Sequence, residues 1–275
     1  MTTASKGRKI VEADKGYFLV DPSDPEANFI ASSIPGYDFK GVPSFFDVGG
    51  ICANPKALRL CTKIFAERCR SLGKIDSICG LDARGFIFGP LVAQELGIPF
   101  FMMRKKGKLP GPVMECAYET EYSKEVLTIP CTAVKPGNRV VIFDDLIATG
   151  GTTIAAANLI IQCGGVVAEV HVITAIAFFK GWRKFRNSLP QLKNVSIFAI
   201  VEALNTLEMP KGSTGSYTVA SGSSEHKCIV EAMKGASSGY VLCKETKQSG
   251  KSLTTTYSAK AKGPGKNRKY AENGG

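Results

Sequence analysis

No stretch of this sequence approaches the roughly 18 consecutive apolar residues that a membrane span needs. Histidine is scarce: His171 and His226 are the two present, so a histidine-rich metal centre is excluded. His171 lies in the apolar run Val170-His171-Val172-Ile173 and reads as a satisfied core residue. Nine cysteines occur, an odd number with no Cys-x-x-Cys pair. Cys61 and Cys69 fall in a helical pattern, Cys79 in a strand and Cys163 near a helix end. Free thiols in a reducing compartment fit this better than disulfides or zinc. The opening Met1-Thr2-Thr3-Ala4-Ser5-Lys6-Gly7-Arg8 has no apolar segment behind its basic residues, so no secretory signal is expected. The closing Asn273-Gly274-Gly275 is not a peroxisomal address. A cytoplasmic location is the expectation.

Acidic residues are the other shortage. The net charge is +11, and the segment 246–275 alone carries seven basic residues against Glu272. That segment is rich in Ser, Thr and Gly and poor in bulky apolar residues, so a solvated, disordered tail is expected. Unpatterned charge does not call for a nucleic-acid partner. With 275 residues and 44% hydrophobic content, the rest can bury one substantial core plus a small appendage.

The centre of the chain alternates strand and helix patterns. Strands are expected at Ile75–Gly80, Ile98–Met103, Arg139–Phe143, within Val166–Phe179, and at Val195–Ile200. Between them, Phe86–Leu96 reads as a helix closed by Gly97, and Thr152–Cys163 as one stopped by Gly164-Gly165. Upstream, Leu58, Cys61, Phe65, Cys69 and Leu72 form one helical stripe. The rhythm implies an α/β fold, a parallel sheet flanked by helices. Residues 104–124 break it with glycines, prolines and charges, and read as a long functional loop.

One junction carries chemistry. The strand Val140-Val141-Ile142-Phe143 delivers Asp144 and Asp145 to the carboxyl edge of the sheet, where open α/β folds bind ligands. Leu146 and Ile147 follow. The chain then turns through Ala148-Thr149-Gly150-Gly151 and enters a helix at Thr152. Two glycines let the backbone approach a ligand closely, and a helix N-terminus offers orphan N–H donors with a partial positive charge. Hydroxyls of Thr149, Thr152 and Thr153 can complete a phosphate cradle. Two carboxylates beside it would repel phosphate but suit the paired hydroxyls of a ribose. The junction therefore describes a ribose 5-phosphate site.

This stretch resembles the signature of type I phosphoribosyltransferases. Two further segments resemble their adenine-specific branch. Gly80-Leu81-Asp82-Ala83-Arg84-Gly85-Phe86 is similar to the pyrophosphate loop. Arg104-Lys105-Lys106-Gly107-Lys108-Leu109-Pro110-Gly111-Pro112 with Tyr118-Glu119-Thr120-Glu121-Tyr122 is similar to a mobile catalytic loop. The resemblance runs from about Phe39 to Glu202, and the long tail resembles the variety found in parasitic protozoa. It implies adenine and 5-phosphoribosyl diphosphate as substrates, AMP and pyrophosphate as products, Mg²⁺ carried on the diphosphate, and a homodimer. By the same resemblance Asp82, Ala83, Arg84, Arg104 and Lys108 hold pyrophosphate, with a cis peptide at Asp82-Ala83. Glu121 acts as general acid/base with Tyr122 shielding it, while Phe45, Arg84, Ala148 and Ile176 surround adenine. Phe46 departs from the basic residue common at its position. No protein-built metal site is expected.

The resulting division is an extension at 1–35, a core with a small hood at 36–204, an appendage at 205–245 and the tail at 246–275. Truncation near Gly250 is expected to leave turnover unchanged. Two alternatives stand beside this reading: an enzyme of the same fold acting on another base, and a non-catalytic regulator that senses the diphosphate.

Overall fold

The computed structural model describes residues 7–39, 42–119, 124–203 and three strand segments at 215–220, 240–249 and 252–261. The chain opens with β1 (Ile10–Asp14), β2 (Tyr17–Val20), α1 (Pro25–Ser32), β3 (Gly36–Phe39) and β4 (Val42–Phe46). Then come α2 (Gly49–Ala53), α3 (Pro55–Ser71), β5 (Ser77–Leu81), α4 (Gly85–Leu96), β6 (Phe100–Lys105), β7 (Val113–Glu119) and β8 (Lys124–Pro130). The core finishes with β9 (Arg139–Ile147), α5 (Gly151–Gln162), β10 (Val166–Ile176), α6 (Gly181–Ser188) and β11 (Ser196–Ala203). Three further strands follow: β12 (Gly215–Ala220), β13 (Tyr240–Ser249) and β14 (Ser252–Ala261).

Nine strands form one sheet in the order β1-β2-β11-β10-β9-β5-β6-β8-β7. Neighbours from β2 through β6 run parallel, and antiparallel strands complete both edges. The unbroken apolar run of β9 is divided by strand alternation. Val140 and Ile142 enter the core beneath α5, whereas Val141 and Phe143 enter the core shared with α3 and α4. Helix α3 starts where Asn54 accepts hydrogen bonds from the amides of Lys56 and Ala57, with Pro55 at its first position. It buries Cys61, Phe65 and Cys69 as the spacing predicts, and α4 ends at Gly97 with φ 66°.

His171 is fully buried among Phe65, Phe143 and Phe198, in keeping with its core reading. Its Nε2 lies 2.8 Å from Glu169 Oε2, and Arg68 grips the same carboxylate at 2.8 and 2.6 Å. Ser196 Oγ donates to Glu169 Oε1 at 2.6 Å. The seven described cysteines are free thiols, Cys61, Cys69 and Cys79 buried and Cys131 exposed.

Three expected boundaries change. Of the expected extension 1–35, the described residues 7–35 are no appendage, because β1 and β2 form an edge of the main sheet and Tyr17 and Leu19 are buried in its core. Asp24 caps α1 by accepting from the amides of Glu26 and Ala27. The described residues group as 7–35 with 47–203, and separately as 36–46 with the three C-terminal strands, so the core includes 7–35 and leaves out 36–46. Much of the expected loop 104–124 is strand: β7 and β8 pair antiparallel from Val113↔Pro130 to Glu119↔Lys124. Met114, Cys116 and Tyr118 alternate inward against the core, and Glu115 and Ala117 face solvent.

The expected disorder of 246–275 also fails in part. β13 and β14 pair from Tyr240↔Ala261 to Ser249↔Ser252, and β14 is the middle strand of the order β12-β14-β13. Threonines at 254, 255 and 256 supply β-propensity without hydrophobicity, the property that the compositional reading missed. A chain cut after Gly250 would leave β12 and β13 without their shared partner. It should lose residues 215–249 to limited proteolysis while 47–203 stays resistant, as mass spectrometry of the fragments can establish.

Candidate active site

The carboxyl ends of β5 and β9 open onto one cavity of about 460 Å³. Its walls are three short segments: Asp82-Ala83-Arg84 after β5, the run Asp144–Thr153 leaving β9, and Lys105, Tyr118 and Glu125 from the antiparallel edge. Asp144 and Asp145 are still within β9, which continues four residues beyond the expected end at Phe143. The chain then turns at Gly150 (φ 83°, a conformation that glycine adopts without strain) and starts α5 at Gly151. No side chain caps that helix. The first intrahelical bond runs from Ile154 N to Gly150 O, so the amides of Gly151, Thr152 and Thr153 have no carbonyl of their own helix to meet. An uncapped N-terminus facing a cavity is an anion site.

Of the three hydroxyls assigned to the cradle, Thr153 is corrected. Its Oγ1 donates to Gly150 O at 2.9 Å and is buried, so it braces the turn instead of reaching outward. All three threonines line the cavity, Thr153 with its hydroxyl turned back to the turn. The Tyr118 hydroxyl is hydrogen-bonded to Thr152, and burial is the larger influence that raises the Tyr118 pKa.

The acids differ from one another. Burial raises the Asp144 carboxyl well above the usual carboxylate range, and the neighbouring Asp145 charge adds to this. Asp145 is 3% exposed and pairs through Oδ2 with Arg84 Nε at 2.9 Å. The Asp145 amide donates to Asp144 Oδ1 at 2.9 Å, which holds the Asp144 carboxyl against the backbone, while Arg84 holds that of Asp145.

The peptide bond Asp82-Ala83 is cis, as the resemblance implies. Arg104 Nε pairs with Asp82 Oδ2 at 3.2 Å and its Nη1 donates to Lys108 O at 3.2 Å. These expected pyrophosphate residues are therefore brought together, although Arg104 and Lys108 are not on the cavity wall and Lys108 is exposed. Lys105, which the sequence reading passed over, is on the wall, 3.0 Å from Glu125 Oε1. Its signal lay in the cross-strand pairing of β6 with β8, invisible once 104–124 is taken for a loop.

Ala148 lines the cavity, while Ile176 is buried at the end of β10, outside the wall. Phe45 belongs to β4 in the other unit, where it pairs with Tyr37. Glu121 and Tyr122 lie outside the described residues. Among the described residues, no cluster of three or more His, Cys, Asp or Glu residues is arranged to hold a metal ion.

The chain is similar to known proteins. The phosphoribosyl transferase domain family matches residues 47–200. The adenine phosphoribosyltransferase of Mus musculus is 43% identical over 164 residues, covering 58% of this chain and 91% of that protein. The Caenorhabditis elegans protein of the same name is 40% identical over 161 residues, or 58% of this chain and 84% of its own length. Among solved structures, adenine phosphoribosyltransferase from Leishmania tarentolae superposes with a TM-score of 0.67 at 32% identity, covering 70% of this chain and 94% of that one. The Trypanosoma brucei enzyme, solved with AMP, pyrophosphate and ribose-5-phosphate, gives 0.68 at 30% identity, covering 83% and 99%. The chain belongs to the phosphoribosyltransferase family, in its adenine phosphoribosyltransferase branch.

Proposed function

We propose that this chain joins adenine to 5-phosphoribosyl diphosphate, giving AMP and pyrophosphate, an enzymatic route that salvages a preformed purine. The observation that carries the reading is the uncapped α5 N-terminus beside two fixed carboxyls, facing the Asp82-Ala83-Arg84 loop across one cavity. The 5-phosphate takes the amides of Gly151 to Thr153 and the Thr149 and Thr152 hydroxyls. The ribose diol donates to Asp144 and Asp145. Diphosphate lies toward Arg84, with Lys105, Arg104 and Lys108 as nearby cations. Entry of the donor exchanges the Arg84–Asp145 ion pair for two substrate contacts, Arg84 with phosphate and Asp145 with a hydroxyl.

The ring nitrogen of adenine attacks the anomeric carbon as the bond to diphosphate oxygen breaks, with inversion. The ring proton leaves to a base, a role that the resemblance gives to Glu121. Catalysis then rests on positioning and on charge placed against an oxocarbenium-like centre. Magnesium would supply charge neutralisation for the leaving diphosphate and would reach the site on the substrate, with few direct protein ligands. The donor set fits an ion carried that way, since Asp82 is already engaged by Arg104 and Asp145 is assigned to the ribose diol.

We also propose a homodimer, for which Ile87 on α4 and Met102 on the adjoining β6 offer exposed apolar surface at 37% and 42%. No described helix is long and apolar enough to cross a membrane. The free thiols support a reducing location such as the cytoplasm.

The deciding assay mixes the protein with Mg²⁺, the diphosphate donor and each of adenine, hypoxanthine, xanthine and orotate. AMP should form, and no turnover with adenine would sink the assignment. Glu121→Gln should lower kcat by about 10²–10⁴-fold, the range for losing a general acid/base. Unchanged turnover would leave the enzyme class standing and remove Glu121 from it.

A further inference from the structure

The phosphate turn does not stand alone: another backbone segment is packed directly beneath it. Lys180 joins the end of β10 to α6 with φ 48° and ψ 40°, left-handed values that a residue with a side chain seldom adopts. That conformation brings Gly181 against the turn. A Cβ on Gly181 would sit 2.2 Å from Ala148 O and 3.1 Å from Gly150 N, which are backbone atoms that cannot swing aside. From the other side, a Cβ on Gly150 would meet Gly181 O at 3.0 Å. Two glycines therefore face each other, and the cradle rests on the first residue of α6.

That helix is itself anchored away from the cavity. Trp182 Nε1 and Arg183 Nε both donate to Asp14 Oδ2, at 2.8 and 2.5 Å. The Trp182 ring stacks on Tyr17 at 4.0 Å between centroids. These bonds tie α6 to β1 and β2, so the floor of the turn cannot retreat to make room for a larger residue.

We propose that Gly181 is a positioning residue for ribose 5-phosphate, setting the height of the Ala148–Gly150 turn through backbone contact while never touching the ligand. The proposal rests on the phosphoribosyl reading of the cavity. It also predicts selectivity. The diphosphate side of the cavity is built by Asp82-Ala83-Arg84, which Gly181 does not support. Displacing the turn should harm the sugar-phosphate half and spare the other.

The test measures binding of ribose 5-phosphate, and separately of pyrophosphate with Mg²⁺, by calorimetry on the full chain and on Gly181→Ala. Ribose 5-phosphate should bind at least about tenfold more weakly to the variant, since small misplacements of a positioning group have effects of that size or larger. Pyrophosphate affinity should stay within about twofold by the same reasoning. Gly165→Ala is the control for general loosening, because its Cβ would press on the Val134 and Ile160 side chains at the opposite end of α5. It should leave both affinities in place. Equal ribose 5-phosphate affinity in Gly181→Ala, or equal losses of both ligands, would overturn the proposal. Failure of the unaltered chain to bind ribose 5-phosphate would instead refute the functional reading.

If Gly181→Ala does not fold, hydrogen exchange on the unaltered chain decides. Ribose 5-phosphate should slow exchange at 180–183 together with 150–153, and pyrophosphate should not. Protection that stops at the turn would remove Gly181 from the role.

Discussion

Asp144→Asn is expected to weaken binding of the diphosphate donor about tenfold to a hundredfold without destabilising the protein. Hydrogen bonds to a charged group contribute about 1.5–3 kcal/mol each, and each 1.4 kcal/mol is about tenfold in affinity. The fold should not suffer, because burial and the Asp145 charge already hold Asp144 toward its neutral form in the absence of ligand. Asparagine is close in shape to that neutral form. The pH dependence follows with a definite sign. A carboxyl raised in the folded state keeps its proton where the unfolded chain has lost it, so the unfolded state binds fewer protons and stability falls as pH rises above the ordinary aspartate range. Asp144→Asn should flatten that fall, giving a melting temperature at pH 8 equal to or above that of the unaltered chain. Hydroxyl donors of a ribose favour the ionised carboxylate, so donor binding should release a proton, visible as a dependence of calorimetric enthalpy on buffer. A variant that melts early, or binds the donor normally, would remove Asp144 from the diol site.

Arg68→Met should be the most destabilising single change on the opposite face of the sheet. Glu169 has no exposed side-chain surface, and Arg68 supplies its countercharge through two hydrogen bonds. Removing one partner of such a pair leaves a buried charge uncompensated and costs about 3–5 kcal/mol, a large share of the roughly 5–15 kcal/mol that holds a domain folded. The double change Arg68→Met with Glu169→Gln should recover most of the loss, since no unpaired charge remains. Burial pushes the Glu169 carboxyl upward, yet the bonds from Arg68 and His171 outweigh it and hold the group down to about 2. Burial keeps His171 toward its neutral form, lowering its pKa, so its Nε2–H donates to Glu169. The depressed carboxyl contributes stability that is present above the usual glutamate range and lost as pH falls toward 2. In Arg68→Met the carboxyl rises and the trend should reverse, with stability falling as pH increases. Urea denaturation at pH 5 and pH 8 distinguishes the two slopes, and parallel slopes would contradict this account.

What the sequence disclosed, and what it hid, follows the range of the interactions. The α3 stripe is local, and it stands where the spacing puts it. The β9–α5 junction is local too, and its Asp pair, Gly150 turn and helix start form one wall of the cavity. The failures are long-range or compositional. Short β1 and β2, with Glu12 and Asp14 in the first, look like an extension until β2 pairs with β11. Met114, Cys116 and Tyr118 alternate as a half-buried strand should, but the glycines and prolines of 107–112 suggest a loop throughout. Lys105 needed β8 as a neighbour before its place on the wall had meaning. Thr153 was assigned by residue type, and only geometry shows its hydroxyl turned back onto Gly150.

The pairing of β2 with β11, Tyr17↔Ile197 through Leu19↔Ala199, joins residues about 180 positions apart. On a ribosome adding about 5–20 residues per second, β2 emerges roughly ten to forty seconds before its partner strand exists. Through that interval β2 has only the neighbouring β1 to pair with, and β11 is the strand that joins the hairpin to the rest of the sheet. The earliest part of this core to be made is thus among the last to be secured. A chain stalled before residue 196 would present the β11-facing edge of the β1–β2 hairpin, with its backbone groups unpaired, to whatever binds nascent protein.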